Sequence, residues 1–219
     1  MTAISSAAWR SRPISSSWPS NVAAAAHLWL ARTDGLDEAR LAHYGRWLGP
    51  GERERTFVRE ARRRQFIAAR ALLRIGVAAL LDVPAEAVEL GGAPGRAPWL
   101  VTPGVPLPGL SVSHSGHWVA CALSTGTALG VDIEMKEASR DIDALAAHAF
   151  DGATCARLAA LPAAERLDAF YRTWSRQEAR IKLGVEAAEC IEVAHPELSV
   201  VVCTAAKLAV PLGVEVVCL

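Results

Sequence analysis

Short runs in which apolar residues dominate or alternate with polar ones predict six β-strands. β-branched residues are frequent in them, and Gly, Pro or Ser residues separate several of them, as is typical of strands. The predicted strands are 27–31, 110–113, 118–124, 128–134, 198–202 and 214–219. The second, third and fourth follow one another closely, so we expect them to form a meander with turns at 114–116 and 125–127.

A three-to-four-residue apolar period predicts helices between these strands. They cover residues 36–44, 52–81 with one break, 142–161 and 163–182. In the last helix, Leu167, Phe170, Tyr171 and Trp174 form a stripe that faces a core, and the same stripe continues through Glu178, Ile181 and Lys182. Buried charge is costly unless paired or coordinated. Two interpretations follow: Glu178 and Lys182 form a structural ion pair, or they line a cleft that binds a metal ion and phosphate.

Arginines crowd the predicted helix of residues 52–81 and invite an anion-binding role. For most of them a solvated face balanced by Glu52, Glu54 and Glu60 is favoured, with one or two expected to meet a phosphate. No helix-turn-helix spacing accompanies them, which argues against a DNA-reading helix. The arginines are Arg53, Arg55, Arg59, Arg62, Arg63, Arg64, Arg70 and Arg74.

Composition narrows the class of partner. The 219 residues contain 23 Lys plus Arg and 23 Asp plus Glu, so no overall field favours nucleic acid or an anionic membrane. The five cysteines are widely spaced without a Cys-x-x-Cys pair, which argues against a disulfide framework or a zinc site and favours a reducing cytoplasm. No apolar run has transmembrane length. We expect residues 1–20 to be a disordered tail rather than an export signal.

Two short segments carry candidate chemistry. In Gly130-Val131-Asp132-Ile133-Glu134, strand alternation places Asp132 and Glu134 on one face, about 6.5–7 Å apart. Paired carboxylates suit magnesium, although a solvated edge strand has the same pattern. In the predicted turn Ser113-His114-Ser115-Gly116, an imidazole and two hydroxyls lie beside turn amides. This is a candidate anion pocket, and an ordinary polar turn is the alternative.

Taken together, three ordered motifs resemble the Sfp-type 4′-phosphopantetheinyl transferases. They are residues 113–118 (SHSGHW), 130–134 (GVDIE) and 174–182 (WSRQEARIK), and the resemblance extends from about His27 to Lys182. It implies an α+β fold of two similar α/β subdomains related by pseudo-twofold symmetry. The expected division is a tail at 1–20, an N-terminal subdomain at 21–125 and a C-terminal subdomain at 126–219 that carries the metal-binding motifs.

The resemblance also implies roles for particular residues. Asp132, Glu134 and Glu178 would hold Mg²⁺, and Glu178 would accept the proton of the attacking serine. Lys182 would contact the pyrophosphate and stabilise the leaving phosphate. Coenzyme A would be the substrate and an apo acyl or peptidyl carrier protein the acceptor, with the enzyme a cytoplasmic monomer. The remaining implied coenzyme A contacts are Arg53, Arg64, Arg96, Ser113 and His114.

Two departures from the family pattern stand out. Gln177 occupies a position where the family commonly has lysine, and Ala97 is inserted between Arg96 and Pro98. Gln177 motivates an alternative function: a relative that binds coenzyme A or a carrier protein without transferring anything. A magnesium-dependent hydrolase of phosphoanhydrides would share the carboxylates, but the order of the three motifs argues against it.

Overall fold

The computed structural model describes residues 24–92, 97–101, 107 and 109–219, which form a mixed α+β fold. The predicted tail at 1–20 lies outside the described residues. The strands are β1 (Ala26–Arg32), β2 (Leu90–Gly91), β3 (Trp99–Leu100), β4 (Gly109–Ser115), β5 (Trp118–Ser124), β6 (Leu129–Met135), β7 (Glu189–Glu192), β8 (Leu198–Thr204) and β9 (Gly213–Val217). The α-helices are α1 (Glu38–Gly45), α2 (Pro50–Arg53), α3 (Glu60–Leu81), α4 (Ile142–Ala149), α5 (Gly152–Ala159) and α6 (Ala163–Leu183).

Two sheets pack face to face. The first has the strand order β4-β5-β1-β9 and the second has the order β6-β8-β7. Leu28 and Leu30 of β1 lie in one buried cluster with Val131, Ile133 and other apolar residues of the second sheet. Helix α3 covers the other face of the first sheet, and α6 covers the second sheet along β6 and β8.

The predicted meander is wrong at its third strand. β4 and β5 form the expected antiparallel pair, but β6 pairs with β8 in the other sheet. The turn after β5 carries the chain from one sheet to the other. The partner of β6 comes about 67 residues later in the chain (200 against 133), a pairing that no local pattern specifies.

The structure corrects two of the helix predictions: one helix is interrupted, and the other buries two arginines that were expected to be solvated. The predicted helix 142–161 is two helices, because Asp151 begins α5 as its N-cap by accepting a hydrogen bond from Thr154 N at 2.7 Å. In α3, Arg70 and Arg74 are buried rather than solvated. Both pair with the buried Glu52 carboxylate, at 3.2 and 2.6 Å.

The cysteines depart from the expectation of unpaired thiols. Cys190 of β7 and Cys203 of β8 are directly opposed and form a disulfide, while Cys121, Cys155 and Cys218 are free. Spacing along the chain could not show this pair, because strand pairing brings the two residues together across 13 positions. Within the described residues, none of the helices is long and apolar enough to span a membrane.

Candidate active site at the junction of the two sheets

Three serines of β4 join the two sheets. The Oγ atoms of Ser111, Ser113 and Ser115 accept hydrogen bonds from the backbone amides of Val131, Ile133 and Met135, at 3.0, 3.3 and 3.0 Å. Among the described residues, these amides belong to the edge of β6 that pairs with no strand through its backbone, so serine side chains of β4 take the place of a backbone partner. The consequence is a fixed register between β4 and the strand that carries Asp132 and Glu134.

The same serines hold the two carboxylates. Ser113 Oγ donates to Asp132 Oδ1 at 3.0 Å, and Ser115 Oγ donates to Glu134 Oε2 at 2.7 Å. Val131 and Ile133 point into the core, so the predicted alternation along β6 is confirmed. Burial, together with the nearby Asp132 charge, raises the pKa of Glu134, and the Ser115 hydrogen bond opposes that rise.

Lys182 completes the cluster from α6. Its Nζ lies 2.8 Å from Asp132 Oδ1, 2.8 Å from Ser113 Oγ and 3.1 Å from the Val131 carbonyl oxygen. The helix reaches the strand because Gly130 has no side chain: a Cβ there would lie 2.1 Å from the Ala179 carbonyl oxygen. Lys182 thus pairs with Asp132, whereas one interpretation of the sequence paired it with Glu178, four residues earlier.

One atom of this cluster lacks a partner. Asp132 Oδ2 is buried and accepts no hydrogen bond from the described residues. A buried carboxylate oxygen in this state requires a donor or a cation. Magnesium favours oxygen ligands and commonly takes one or two carboxylates, with water and substrate phosphate completing its coordination. Asp132 and Glu134 therefore fit a magnesium ion.

The third predicted ligand is Glu178. Glu178 lies on α6 one turn before Lys182 and is half-buried. Among the residues that the structure describes, no group of three or more His, Cys, Asp or Glu side chains is close enough to hold a metal ion. Asp132 and Glu134 thus carry the fit to magnesium, and the role of Glu178 stays a prediction.

A pair of basic side chains, His114 and Arg62, lies at the end of β4. His114 and Ser115 belong to the strand itself, and Gly116 begins the turn with φ +54°, where a Cβ would clash with Met135. The Arg62 guanidinium of α3 contacts both ring nitrogens of His114. Burial and the Arg62 charge lower the pKa of His114 to about 4, so the imidazole is neutral near pH 7 and can accept from Arg62.

Sequence reasoning placed Arg62 among the solvated arginines and so missed it. The signal was available, since a cluster of arginines precedes the His114 motif, but nothing in the spacing selected one member. Gln65, one turn further along α3, donates to the Gly116 carbonyl oxygen at 2.7 Å. Helix α3 therefore contacts the end of β4 through Arg62 and the following turn through Gln65.

The other predicted coenzyme A contacts lie elsewhere or outside the described residues. Arg53 of α2 donates to the Arg46 carbonyl oxygen at 2.8 Å and lines a cleft of about 630 Å³ beside Trp47 and Leu90. Arg64 forms an ion pair with Glu38 and donates to the Leu36 carbonyl oxygen at 2.6 Å. Arg96 lies outside the described residues. The proposed ligand contacts of all three stay predictions.

Comparison with known proteins agrees with the motifs at this junction. Residues 128–195, which include β6, α6 and the residues between them, match the 4′-phosphopantetheinyl transferase superfamily. The chain thus resembles that superfamily over about a third of its length, in agreement with the enzyme class predicted from the motifs.

Two relatives carry the same enzyme name. The 4′-phosphopantetheinyl transferase HetI of Nostoc sp. is 28% identical over 177 residues, which cover 77% of this chain and 73% of HetI. The slr0495 protein of Synechocystis sp., whose own naming as a 4′-phosphopantetheinyl transferase is provisional, is 28% identical over 164 residues. That match covers 71% of this chain and 63% of the relative.

Proposed function

We propose that the protein transfers the 4′-phosphopantetheine group of coenzyme A to a serine of an apo acyl or peptidyl carrier protein, in a magnesium-dependent reaction. The observation that carries the proposal is the cluster of Lys182, Ser113 and Asp132 with its unpartnered Oδ2 atom. The superfamily match over 128–195 supports the reaction class.

In the proposed reaction the carrier serine Oγ attacks the β-phosphorus of coenzyme A. The bond between that phosphorus and the bridging oxygen breaks, and adenosine 3′,5′-bisphosphate leaves. Glu178 accepts the serine proton, and Lys182 stabilises the negative charge on the leaving phosphate. Magnesium held by Asp132 and Glu134, with Glu178 as the predicted third ligand, would neutralise pyrophosphate charge.

The basic pair at the end of β4 supports binding of a further phosphate. Arg62 presents guanidinium donors beside His114. In the proposal, His114 and Arg62 contact the 3′-phosphate of coenzyme A. Because His114 is neutral, the positive charge at this end of the site comes from Arg62.

The proposal includes the finer architecture of the family: halves at 21–125 and 126–219 related by pseudo-twofold symmetry. The packing of α3 on the first sheet and of α6 on the second supports two comparable layers. β9 crosses the division, since it pairs with β1 of the first sheet. A cytoplasmic location and a monomeric state also belong to the proposal.

The test is intact-mass spectrometry of apo carrier proteins incubated with coenzyme A, magnesium and the enzyme. The expected result is a mass gain of one phosphopantetheine that is lost without magnesium and in Glu178→Ala. Lys136→Ala serves as the matched lysine control for Lys182→Ala, because Lys136 pairs with the exposed Asp168. A wild-type enzyme that modifies none of the acyl, polyketide and peptidyl carriers contradicts the proposal.

A non-catalytic relative is the second candidate, favoured by the placement of Gln177. Its amide donates to the Ala149 carbonyl oxygen at 3.3 Å and supplies no charge near the phosphates. This candidate predicts coenzyme A binding without transfer. If wild type is silent and Gln177→Lys transfers the group, the protein is a transferase that has lost activity through this substitution.

A further inference from the structure

The Cys190–Cys203 disulfide lies beneath the end of helix α6. Cys203 is buried in one apolar cluster with Ala179 and Leu183 of that helix, and Cys190 packs against the same cluster. The Sγ atom of Cys203 lies 4.0 Å from the carbonyl oxygen of Arg176, one turn before Ala179. The disulfide is therefore part of the layer on which the end of α6 rests.

The end of α6 also carries two residues of the candidate active site. Glu178 and Lys182 are each next in sequence to one of the residues that α6 buries in this layer. The layer is tightly packed, since a Cβ on Gly130, directly opposite Cys203 in the sheet, would lie 2.1 Å from the Ala179 carbonyl oxygen. A change of volume at the disulfide therefore reaches the helix turn that positions both site residues.

Reduction changes the volume that this layer needs. Two sulfur atoms that are not bonded cannot approach one another as closely as a bonded pair, so two thiols take more room than the disulfide. Strand β7, which carries Cys190, is an edge strand of four residues. Its ion pairs with α6, which join Glu192 to Arg172 and Arg176, are exposed and so hold the two elements together only weakly.

We propose that the Cys190–Cys203 disulfide is a redox switch for coenzyme A binding. In the oxidised form it holds the end of α6 where Glu178 and Lys182 serve the site, and in the reduced form the helix end shifts and binding weakens. This inference rests on the proposed function and adds regulation to it. In the proposed cytoplasmic location, disulfides are typically transient and either catalytic or redox-sensing.

The switching reaction is thiol–disulfide exchange with a dithiol. A thiolate of the dithiol attacks Sγ of Cys190, which is half-buried, whereas Cys203 is buried. The bond between the two cysteines breaks, Cys203 leaves as a thiolate that takes up a proton, and Cys190 is held in a mixed disulfide. The second thiol of the dithiol then displaces Cys190. Two electrons and two protons have passed to the cysteine pair, and the dithiol has become a disulfide.

The test measures binding, so that it does not depend on transfer. The probe is S-methyl coenzyme A, because its thioether cannot exchange with the disulfide. Calorimetry with magnesium measures its affinity for the full 219-residue chain in the oxidised form and after reduction by dithiothreitol. Reduction is expected to weaken binding about fivefold, the lower end of typical coupling between two sites, and reoxidation should restore the affinity.

The coupling must be reciprocal. Saturating S-methyl coenzyme A with magnesium should make the midpoint potential of the cysteine pair about 20 mV more negative, which is a fivefold effect for a two-electron couple. The redox response of the affinity should persist in Cys218→Ser, which removes the exposed thiol, and be absent in Cys190→Ser. Equal affinities of the oxidised and reduced wild type overturn the proposal, as does unfolding of the reduced protein under the same conditions.

Three further outcomes separate this inference from the proposed function. Affinity that depends on the redox state, without transfer to any carrier, supports the switch and contradicts the transferase. Transfer by both forms with equal affinity supports the transferase and overturns the switch. A cysteine pair that stays reduced in excess oxidised glutathione overturns the switch and leaves the transferase standing.

Discussion

The Nζ atom of Lys182 lies 2.8 Å from Oδ1 of Asp132, and this pair ties helix α6 to strand β6. Asp132 is buried, whereas 30% of the Lys182 side chain is exposed. A carboxylate in this position depends on its partners, because water reaches only the lysine side of the pair. The pair therefore couples the stability of the fold to the charge of the site.

Replacement of Lys182 by methionine is expected to lower the free energy of unfolding by about 2–3 kcal/mol, less than for a fully buried pair because Lys182 is partly exposed. Saturating magnesium should recover more stability in the variant than in wild type, since the ammonium no longer repels the cation. Urea denaturation with and without magnesium measures both effects. Lys136→Met is the control, and equal urea midpoints for all three proteins would contradict the prediction.

Substitutions of the β4 serines can separate an effect on stability from an effect on magnesium affinity. Ser111→Ala leaves the Val131 amide without its acceptor and is expected to cost about 1–3 kcal/mol of stability, with magnesium affinity unchanged. Ser113→Ala has the same cost in stability. It also removes the hydroxyl that donates to Asp132 and accepts from Lys182, so magnesium affinity should change as well. Calorimetric titration of the two variants checks this contrast, which a common effect on metal affinity would refute.

Magnesium binding itself is testable with Mn²⁺ as a paramagnetic probe. Asp132→Asn and Glu134→Gln are each expected to weaken Mn²⁺ binding at least about tenfold, since each removes a charged oxygen ligand. Glu137→Gln is the control, because Glu137 pairs with Arg140. Electron paramagnetic resonance of free Mn²⁺ measures the affinities. Equal affinities across wild type and the three variants would remove Asp132 and Glu134 as ligands.

The local patterns predicted most helices and strands, because amphipathic periods report which face of an element is buried. They also placed Asp132 and Glu134 correctly on one face of β6. The identity of the partner of β6 depends on a contact between distant parts of the chain. The Cys190–Cys203 bond has the same origin, since it follows from the pairing of β7 with β8.

The contacts that side chains make at the site were harder to predict from the sequence than the helix or strand on which each residue lies. Arg62 and Arg53 occupy similar polar contexts in the sequence, and only the packing of α3 beside β4 brings Arg62 to His114. Ile181 fits the apolar period of α6, yet it is exposed, and Ala179 and Leu183 are the residues of this turn that pack against the second sheet. Periodicity reports a preference for burial, and the extent of the neighbouring layer decides whether burial occurs.

His114 should make stability depend on pH. Its pKa is about 4 in the folded protein and near 6.5 when unfolded, so between these values the unfolded state binds more protons. Stability contributed by the neutral ring is complete above pH 6.5 and is lost as the pH falls toward 4. In His114→Gln this loss should be absent, which flattens the pH dependence of the free energy of unfolding over that range.

The comparison of wild type with His114→Gln isolates this residue. The raised pKa of Glu134 has the opposite sign, because the folded state then holds the proton more tightly, but it is common to both proteins and cancels in the difference. Urea denaturation at several pH values from 4 to 7 gives the two curves. Parallel curves would show that His114 has the same pKa in the folded and unfolded states.

The disulfide between Cys190 and Cys203 gives a prediction that needs no variant. Of the five cysteines, three are free, so thiol titration of the denatured protein should find three thiols before reduction and five after it. Reduction removes the covalent link between β7 and β8 and should lower the free energy of unfolding by about 2–4 kcal/mol. Cys190→Ser should unfold like the reduced protein. Cys155 is half-buried on α5, and the stability of Cys155→Ser should still fall when reductant is added. Five thiols in protein purified without reductant would show that the pair is reduced in solution.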